Sequence, residues 1–594
     1  MPAKDNLLTR WIFPGLATVL SFLILAGTSE MLPLVWDEGE LIERAGLVRN
    51  WGNDAARFLF LRQTPSDGLS PFSQKSIEEH WKSTAVLEGH PGGYLAVIAV
   101  GKIISDALSH LPFLPDVSPK TSWRFGTILF ASIAIGVMFS AIRRHFGNVA
   151  ALFAVVTMLL TPRVFAHLHF ATCDGVLTAA WLAAVATFPL QTPQKKADGI
   201  FVGVVWGICF GMTLSAKFTG FAILAPFAAM IMARSMIFIY RRSFCREISN
   251  ALIPYWIGIL TAAFVFYLFN PPLWYRPISG FAKFLYLNTH RDHFNISILF
   301  GGQMYDLHHP LPFYNTLIWI AITFPVLFLL MLPLGLKRMF SRDDSITQPT
   351  FNQQNAESKR RLQFGGLLLL HALILPIIRA FPGAPPHDGV RLFITTFAFL
   401  AVIAGIGVSS LWQTSHTFFK KRWATSLLCG RLGVVLIFLT GLNNMIFYAP
   451  QWLSFYNAVI GGVNGAAKRG FEPTYYWDSL DSDVVQWLNQ NTSERKKVYF
   501  SAKSSKTMDL VRAWNGLRPE FRVKFPGDYQ WYVVQHRPGA WSRIDWQLIK
   551  NFTPVYIKYV HQPQFLSLQP CETPVLSAFS FDDYLKAKEM AVLK

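Results

Sequence analysis

Long apolar runs separated by short polar connectors make up most of the first three quarters of the chain. Eleven such runs lie near residues 11–27, 123–142, 147–162, 174–190, 200–215, 218–239, 251–269, 313–336, 364–380, 391–411 and 425–448. Each has roughly the length at which an α-helix crosses about 30 Å of hydrocarbon, allowing for tilt and for short spans. The pattern therefore predicts a polytopic α-helical membrane protein with about eleven transmembrane helices.

The hydrophobic pattern changes after residue 448. Strand-like runs at 497–501, 529–535 and 554–560 alternate with helices predicted at 481–490 and 506–516. This alternation is typical of a small α/β domain. We therefore divide the chain into a transmembrane domain at residues 1–448 and a C-terminal α/β domain at residues 449–594.

The composition agrees with a membrane protein. Of the 594 residues, 52% are hydrophobic and 15% are charged, whereas about a quarter of an ordinary soluble protein is charged. The net charge is +19, but much of the Lys and Arg lies between apolar runs, where membrane topology explains it better than nucleic acid does. The five cysteines have neither CxxC pairs nor regular spacing, so no disulfide framework or zinc site is expected.

Basic clusters between the apolar runs predict the orientation. They lie at residues 143–144, 195–196, 241–246, 337–361 and 420–422. All five fall on the cytoplasmic side if the N-terminus is cytoplasmic and the chain crosses eleven times. The large loops at 37–122 and 270–312 and the C-terminal domain then lie outside the cytoplasm.

Two further features refine this localisation. The first apolar run has no A-x-A-like cleavage site before the polar residues that follow it, so we expect it to be retained as the first span. The compact loops and the absence of a retention signal at the last residues favour a prokaryotic plasma (inner) membrane over the endoplasmic reticulum.

One apolar stretch, residues 91–110, does not fit the count of spans. It contains Gly92, Gly93, Lys102 and Asp106, and counting it as a span would place most basic clusters outside. We predict a helix that lies in the outer membrane interface, with a spanning segment as the alternative.

Candidate acidic groups lie at the same predicted face of the membrane. Asp37 and Glu38 follow the first span, and Asp174 opens a later one. Acids at the rim of a helix bundle are costly and often functional, although the pair can also be a solvated helix end, and Asp174 can be a helix N-cap. Two carboxylates on one face can bind a divalent cation or accept a proton.

Cationic groups gather at this face as well. They are Arg124, Arg163, His167, Lys217, residues 291–293, residues 308–309, residues 387–388 and Arg391. Lys217 can simply snorkel towards the membrane surface. Arg391 begins a span after a Pro/Gly-rich turn, where a fixed guanidinium suits an anionic phosphate. Acids and cations converging on one face indicate a site for a phosphorylated, lipid-borne substrate.

The order of these motifs resembles a known family. Asp37-Glu38 after the first span, His90-Pro-Gly-Gly-Tyr94 before the interfacial helix, Arg124, the turn at 162–174 and Lys217 are similar to the GT-C class of polyprenyl-phosphate-sugar-dependent glycosyltransferases. Within that class the chain resembles the protein O-mannosyltransferase and lipid A aminoarabinose transferase group (glycosyltransferase family 39-like), over about the first 310 residues.

The chain also departs from both subgroups. The mannosyltransferases usually have His-Pro-Pro where this chain has His90-Pro91-Gly92, and the aminoarabinose transferases have Lys-Pro-Pro there. No stretch resembles the β-trefoil insertion of the mannosyltransferases. The resemblance therefore leaves the sugar, hexose or pentose, and the acceptor open.

The resemblance implies an inverting glycosyltransferase with a GT-C fold. The sugar would pass from a polyprenyl-phosphate or pyrophosphate donor to a hydroxyl of an acceptor protein, lipid or glycan at the outer face. The implied catalytic residues are Asp37 as general base, with Glu38 and Asp174 orienting the acceptor or a divalent cation. The implied substrate-binding residues are His90, Tyr94, Arg124, Arg163, His167, Lys217 and Arg391, of which His90, Lys217 and Arg391 would neutralise the departing phosphate.

Two other classes of protein compete with this interpretation. A transporter or flippase of lipid-linked substrates would use the same cationic face without chemistry. It would also place charges on both faces and in mid-membrane, whereas the polar candidates here gather at one face. A membrane scaffold with an exported binding domain would leave these charged groups without a chemical role.

Overall fold

The computed structural model describes residues 7–65, 68–82, 89–112, 116–193, 195–240, 245–290, 296–341, 351–386, 389–418, 424–502, 504–518, 528–564 and 567–592. Its first part contains the helices α1 (Leu7–Thr28), α2 (Glu38–Leu61), α3 (Gln74–His80), α4 (Gly93–Ser109), α5 (Pro119–Phe146), α6 (Asn148–Leu159), α7 (Pro162–His167), α8 (Cys173–Thr187), α9 (Lys196–Ala216), α10 (Leu224–Tyr240), α11 (Cys245–Leu268) and α12 (Pro277–Thr289). A hairpin of β1 (Ile298–Phe300) and β2 (Gln303–Tyr305) follows, and then α13 (Asn315–Thr323), α14 (Val326–Phe340), α15 (Phe351–Arg379), α16 (Ile394–Phe418) and α17 (Ala424–Tyr448).

The eleven predicted apolar runs all fall on helices. Among the described residues, eight helices are long and apolar enough to cross a membrane, and the pair α13 and α14 makes a ninth if it is one span with a bend of 113°. The two remaining runs are α6 and α8, which are apolar but only 12 and 15 residues long. The predicted fold class, a polytopic α-helical membrane protein, is confirmed.

Prolines explain where two of these helices end. Phe324, between α13 and α14, has an extended backbone with ψ 141°, and Phe188, after α8, has ψ 132°. Each precedes a proline, whose ring disfavours helical geometry in the residue before it. The bend at α13 and α14 and the short length of α8 therefore follow from the sequence.

Residues 91–110 form a helix, as predicted, which is α4. At 17 residues it is not among the described helices that are long and apolar enough to cross a membrane. Its polar residues have partners, because Asp106 bonds with Lys102 one turn before it and with Arg49 of α2 at 2.7 Å. Its position in the membrane interface stays a prediction.

The C-terminal part contains α18 (Gly462–Lys468), α19 (Ser482–Asn491), β3 (Lys497–Phe500), α20 (Ser505–Asn515), β4 (Tyr529–Gln535), α21 (Arg543–Asn551), β5 (Tyr556–Gln564), β6 (Ser567–Ser580) and α22 (Phe581–Val592). The strands form one sheet in the order β3-β4-β6-β5. β3 and β4 are parallel, and β6 is antiparallel to both of its neighbours. The predicted α/β character of the tail is confirmed.

This α/β part packs against the residues that follow α1. Gly39 donates its backbone N–H to Thr507 Oγ1 at 3.3 Å, and Thr507 Oγ1 donates to the Trp36 carbonyl at 2.8 Å. A Cβ atom on Gly39 would lie 2.1 Å from the Thr507 nitrogen, so only glycine permits this approach. The beginning of α20 therefore packs against the segment that contains Asp37 and holds it in place.

Candidate active site

A buried ion pair fixes the segment between α1 and α2. Arg124, near the N-terminal end of α5, donates from Nε and Nη2 to the two carboxylate oxygens of Glu38, at 2.8 and 2.7 Å. Its Nη1 and Nη2 also donate to the carbonyls of Ser29, Leu32 and Pro33 at 2.8–3.1 Å. Both charged side chains are fully buried, and such two-pronged pairs hold their partners in a fixed geometry. The pair therefore positions the backbone of Asp37.

We expect Arg124→Leu to lower the free energy of unfolding by about 3–5 kcal/mol, because it leaves the Glu38 carboxylate buried and unpaired. The measurement is the melting temperature of the purified chain in detergent. The double variant Arg124→Leu with Glu38→Leu should recover part of the loss, since it removes both charges. An unchanged melting temperature in Arg124→Leu would contradict a structural role for this pair.

Next to this pair, four charged side chains from four elements form a continuous network. Asp174, in the first turn of α8, accepts from Lys217 Nζ at 2.6 Å through Oδ1 and from Arg391 Nε at 2.7 Å through Oδ2. Arg391 Nη2 also donates to Oδ2 of Asp37. The structure thus brings together four of the predicted site residues, in the order Lys217, Asp174, Arg391 and Asp37.

The three predicted carboxylates differ in exposure. The side chain of Asp37 is 28% exposed, whereas those of Asp174 and Glu38 are 1% and 0% exposed. Asp174 and Glu38 each accept hydrogen bonds on both oxygens. Asp37 receives its bonds from Arg391 and Tyr476 on the same oxygen, Oδ2. Asp37 is therefore the carboxylate best placed to accept a proton from a bound molecule.

Two tyrosines from the segment after α18 complete the site, and the sequence analysis missed them. Tyr476 donates to Asp37 Oδ2 at 3.0 Å, and its ring lies 4.2 Å from the Arg391 guanidinium carbon. Tyr475 shares a hydrogen bond of 2.9 Å with Nε2 of His167. Three consecutive aromatic residues at 475–477 were the available signal, but nothing in the sequence links them to residue 37.

The backbone next to Tyr476 is strained. Trp477 has φ 57°, a left-handed conformation that is rare for a bulky residue and costs on the order of 1–3 kcal/mol. Its ring packs on Trp36 with centroids 4.4 Å apart and against the Arg537 guanidinium at 3.8 Å. These contacts hold the conformation that directs Tyr476 towards Asp37.

Arg163 and His167 of α7 lie behind the tyrosines. The Arg163 guanidinium is sandwiched between the rings of Tyr456 and Tyr475, at 4.7 and 5.0 Å. Its Nε donates to the Phe455 carbonyl at 3.1 Å, and its buried Nη1 and Nη2 have no hydrogen-bond partner among the described residues. The structure thus buries this cation against two aromatic rings.

His167 is electrically neutral in this environment. Burial lowers the pKa of His167 to about 3, and the nearby cations act in the same direction against the opposing effect of Asp174. A neutral imidazole can donate or accept a hydrogen bond but carries no charge towards a phosphate. We therefore assign His167 to hydrogen bonding rather than to charge neutralisation.

His90 and Tyr94 lie at the beginning of α4, which packs against the end of α9. The loop before α4 approaches the end of α9 so closely that a Cβ atom on Gly93 would lie 2.5 Å from that of Ser215. Tyr94 is buried in the first turn of α4, and His90 is partly exposed. The other predicted cations add nothing to the network in the described part of the chain. His309 is exposed and bonds with Asp306, and residues 291–293 and 387–388 lie outside the described residues.

The donor set fits a divalent cation poorly. No group of three or more His, Cys, Asp or Glu side chains in the described ranges is arranged to hold a metal ion. Asp37 and Asp174 are instead bridged by the Arg391 guanidinium, and Lys217 adds a second positive charge. The two carboxylates are thus neutralised by the chain itself. A divalent cation at this place stays a prediction.

Part of the chain matches a known protein family. A family model described as dolichyl-phosphate-mannose-protein mannosyltransferase matches residues 116–275, the segment that contains Arg124, Arg163, His167, Asp174 and Lys217. The resemblance inferred from the motifs is confirmed over this segment. A search of curated proteins finds no match.

Several solved structures align with almost the whole chain. The apo structure of ArnT from Cupriavidus metallidurans is 14% identical, with 96% of this chain and 97% of that chain covered and a TM-score of 0.47. The same protein bound to undecaprenyl phosphate is 14% identical, with 97% and 98% covered and a TM-score of 0.45. The oligosaccharyltransferase of Archaeoglobus fulgidus in its apo form is 11% identical, with 92% and 70% covered and a TM-score of 0.43.

Proposed function

We propose that this chain is an integral-membrane, inverting glycosyltransferase of the GT-C class. It transfers a sugar from a polyprenyl-phosphate donor to an acceptor hydroxyl. The network of Lys217, Asp174, Arg391 and Asp37 carries this proposal, because it joins an accessible base to phosphate-binding cations at one end of a membrane-spanning bundle. The family match over residues 116–275 supports the same class of enzyme.

Asp37 acts as the general base. An alcohol that attacks the anomeric carbon must lose its proton, and a positioned carboxylate accepts it. Arg391 and Tyr476 both bond to Oδ2 of Asp37, which leaves Oδ1 for the acceptor hydroxyl. The new glycosidic bond forms as the bond from the sugar to the lipid phosphate breaks, so the electron pair leaves with the phosphate and the proton goes to Asp37.

Lys217 and Arg391 stabilise the leaving phosphate, whose negative charge grows in the transition state. The ammonium of Lys217 has three N–H donors and uses one on Asp174. Asp174 holds Lys217 and Arg391 in place and is thus a positioning residue, while the pair of Glu38 and Arg124 positions Asp37.

The test is sugar transfer by the purified full chain in liposomes that contain radiolabelled polyprenyl-phosphate sugars. The proposal requires that label appears in an acceptor through a new glycosidic bond. Movement of the labelled lipid between leaflets without a new bond would instead indicate a transporter or flippase. Binding of the donor with neither result would indicate a scaffold.

We also propose that the C-terminal α/β part lies outside the cytoplasm of a prokaryotic cell. A reporter that is active only after export, fused after the last residue, should be active, and a reporter that works only in the cytoplasm should not. The reason is the odd number of crossings that places the basic connectors inside. The reverse pattern of activity would show that the number of crossings is even.

A further inference from the structure

A cavity lies at the other end of the helices that carry the candidate active site. It has a volume of about 1480 Å³ and is lined by the end of α5, the residues after α8 and the beginning of α9. The candidate active site uses the opposite ends of these three helices, at Arg124, Asp174 and Lys217. Because α9 has 21 residues, about 30 Å separates the two places, which is the thickness of the hydrocarbon core of a membrane.

The cavity combines apolar and basic lining residues. Trp11 of α1 and Phe201 of α9 line it and are 71% and 70% exposed, so this part of the lining faces the lipid. The charged lining residues among the described parts of the chain are the cations Arg144, Arg234, Lys359 and Arg360 and the acid Asp198. The charge of the lining is therefore strongly positive.

One of these cations is built into the wall. Arg234 is 8% exposed, and its Nη1 donates to the Leu190 carbonyl and, at 3.3 Å, to Gln363 Oε1. Its buried Nε has no hydrogen-bond partner in the described residues. A buried guanidinium with an unused donor is costly unless a ligand binds there, so the interior of the cavity is suited to an anion.

We infer that this cavity binds an anionic glycerophospholipid. The phosphate lies among Arg234, Lys359 and Arg360, and the acyl chains leave the cavity beside Trp11 and Phe201. Basic pockets between membrane helices on the side of the basic connectors are suited to such headgroups. The basic residues 143–144 and 359–361 belong to the predicted cytoplasmic connectors, so this lipid comes from the leaflet opposite to the proposed site of sugar transfer.

The experiment is native mass spectrometry of the full chain released from detergent that contains equal amounts of phosphatidylglycerol and phosphatidylcholine. We expect the wild type to retain phosphatidylglycerol preferentially. Arg234→Gln should retain at least about fivefold less, which corresponds to the loss of one cation near an anionic lipid. Lys359→Gln with Arg360→Gln tests the same site through two exposed residues, in case Arg234→Gln does not fold.

The matched control is Lys337→Gln, which removes an exposed cation from the last turn of α14 outside the cavity lining. It should retain phosphatidylglycerol like the wild type. Equal retention by all variants, or equal retention of both lipids, would overturn the inference. Displacement of phosphatidylglycerol by an equal amount of a polyprenyl phosphate would assign the cavity to that lipid instead and overturn it as well. None of these results depends on sugar transfer.

Discussion

Purified Asp37→Asn should transfer sugar about 10²–10⁴-fold more slowly than the wild type, the factor that a positioned general base supplies. The amide keeps the shape of the side chain and can still accept hydrogen bonds from Arg391 and Tyr476, but it cannot take the proton of the acceptor hydroxyl. Donor affinity and protein level should stay nearly unchanged. The measurement is the rate of transfer from a radiolabelled polyprenyl-phosphate sugar, together with donor titration.

Asp106→Asn is the matched control for this variant. Asp106 is 32% exposed and pairs with two cations, Lys102 and Arg49, much as Asp37 is 28% exposed and pairs with Arg391. It lies on α4 outside the network. If Asp37→Asn turns over like the wild type, or if Asp106→Asn loses as much activity as Asp37→Asn, Asp37 is not the base.

The sequence predicted the membrane part of this fold well because each signal is local. A run of apolar residues that is long enough to cross the bilayer can be recognised without knowing which helices pack against it. Charged residues at the ends of the runs then indicate which ends lie together. For this reason Asp37, Asp174, Lys217 and Arg391 could be assigned to one face, and the structure places them within hydrogen-bonding distance of one another.

The roles of neighbouring residues could not be separated in the same way. Asp37 and Glu38 are adjacent and chemically alike, yet Glu38 turns into the protein towards Arg124 while Asp37 faces the site. The direction of each side chain depends on where α5 packs. A pattern of apolar and polar positions therefore finds the acidic pair but does not divide its members between base and structural anchor.

The contribution of the C-terminal part to the candidate site could not be predicted from the sequence for a related reason. Tyr476 bonds with Asp37 across 439 positions of the chain, and no local periodicity reports such a contact. Strand β6 was also missed. It contains Pro570 and Pro574, and proline is uncommon in a central strand. The register explains their presence: β4 pairs with residues 576–580 of β6, so the prolines lie where β6 pairs with β5 alone.

The surroundings of Arg391 bear on two interpretations of this residue, a guanidinium that binds the donor phosphate and one that anchors a helix at the membrane surface. An arginine that anchors a helix at the headgroup level extends its charge into water. The Arg391 side chain is instead 11% exposed and donates to Asp174 and Asp37 from two different nitrogens. Its planar guanidinium also lies over the ring of Tyr476. These contacts need the fork geometry of arginine, which lysine does not have.

We therefore expect Arg391→Lys to weaken donor affinity by about 1–3 kcal/mol, the scale of a charge-assisted hydrogen bond, and Arg391→Ala to weaken it further. Lysine lacks the two separate nitrogens, Nε and Nη2, with which Arg391 reaches Asp174 and Asp37, so it pairs less well with both carboxylates, and their negative charges would oppose the donor phosphate. The measurement is titration of a fluorescent polyprenyl-phosphate analogue against the wild type and the two variants.

Arg379→Lys is the control for Arg391→Lys. Arg379 is also buried and also packs on an aromatic ring, that of Phe393, but it lies outside the network. Equal affinities for the wild type and both Arg391 variants would show that donor binding needs neither the guanidinium nor its charge. Arg391 would then be a membrane anchor.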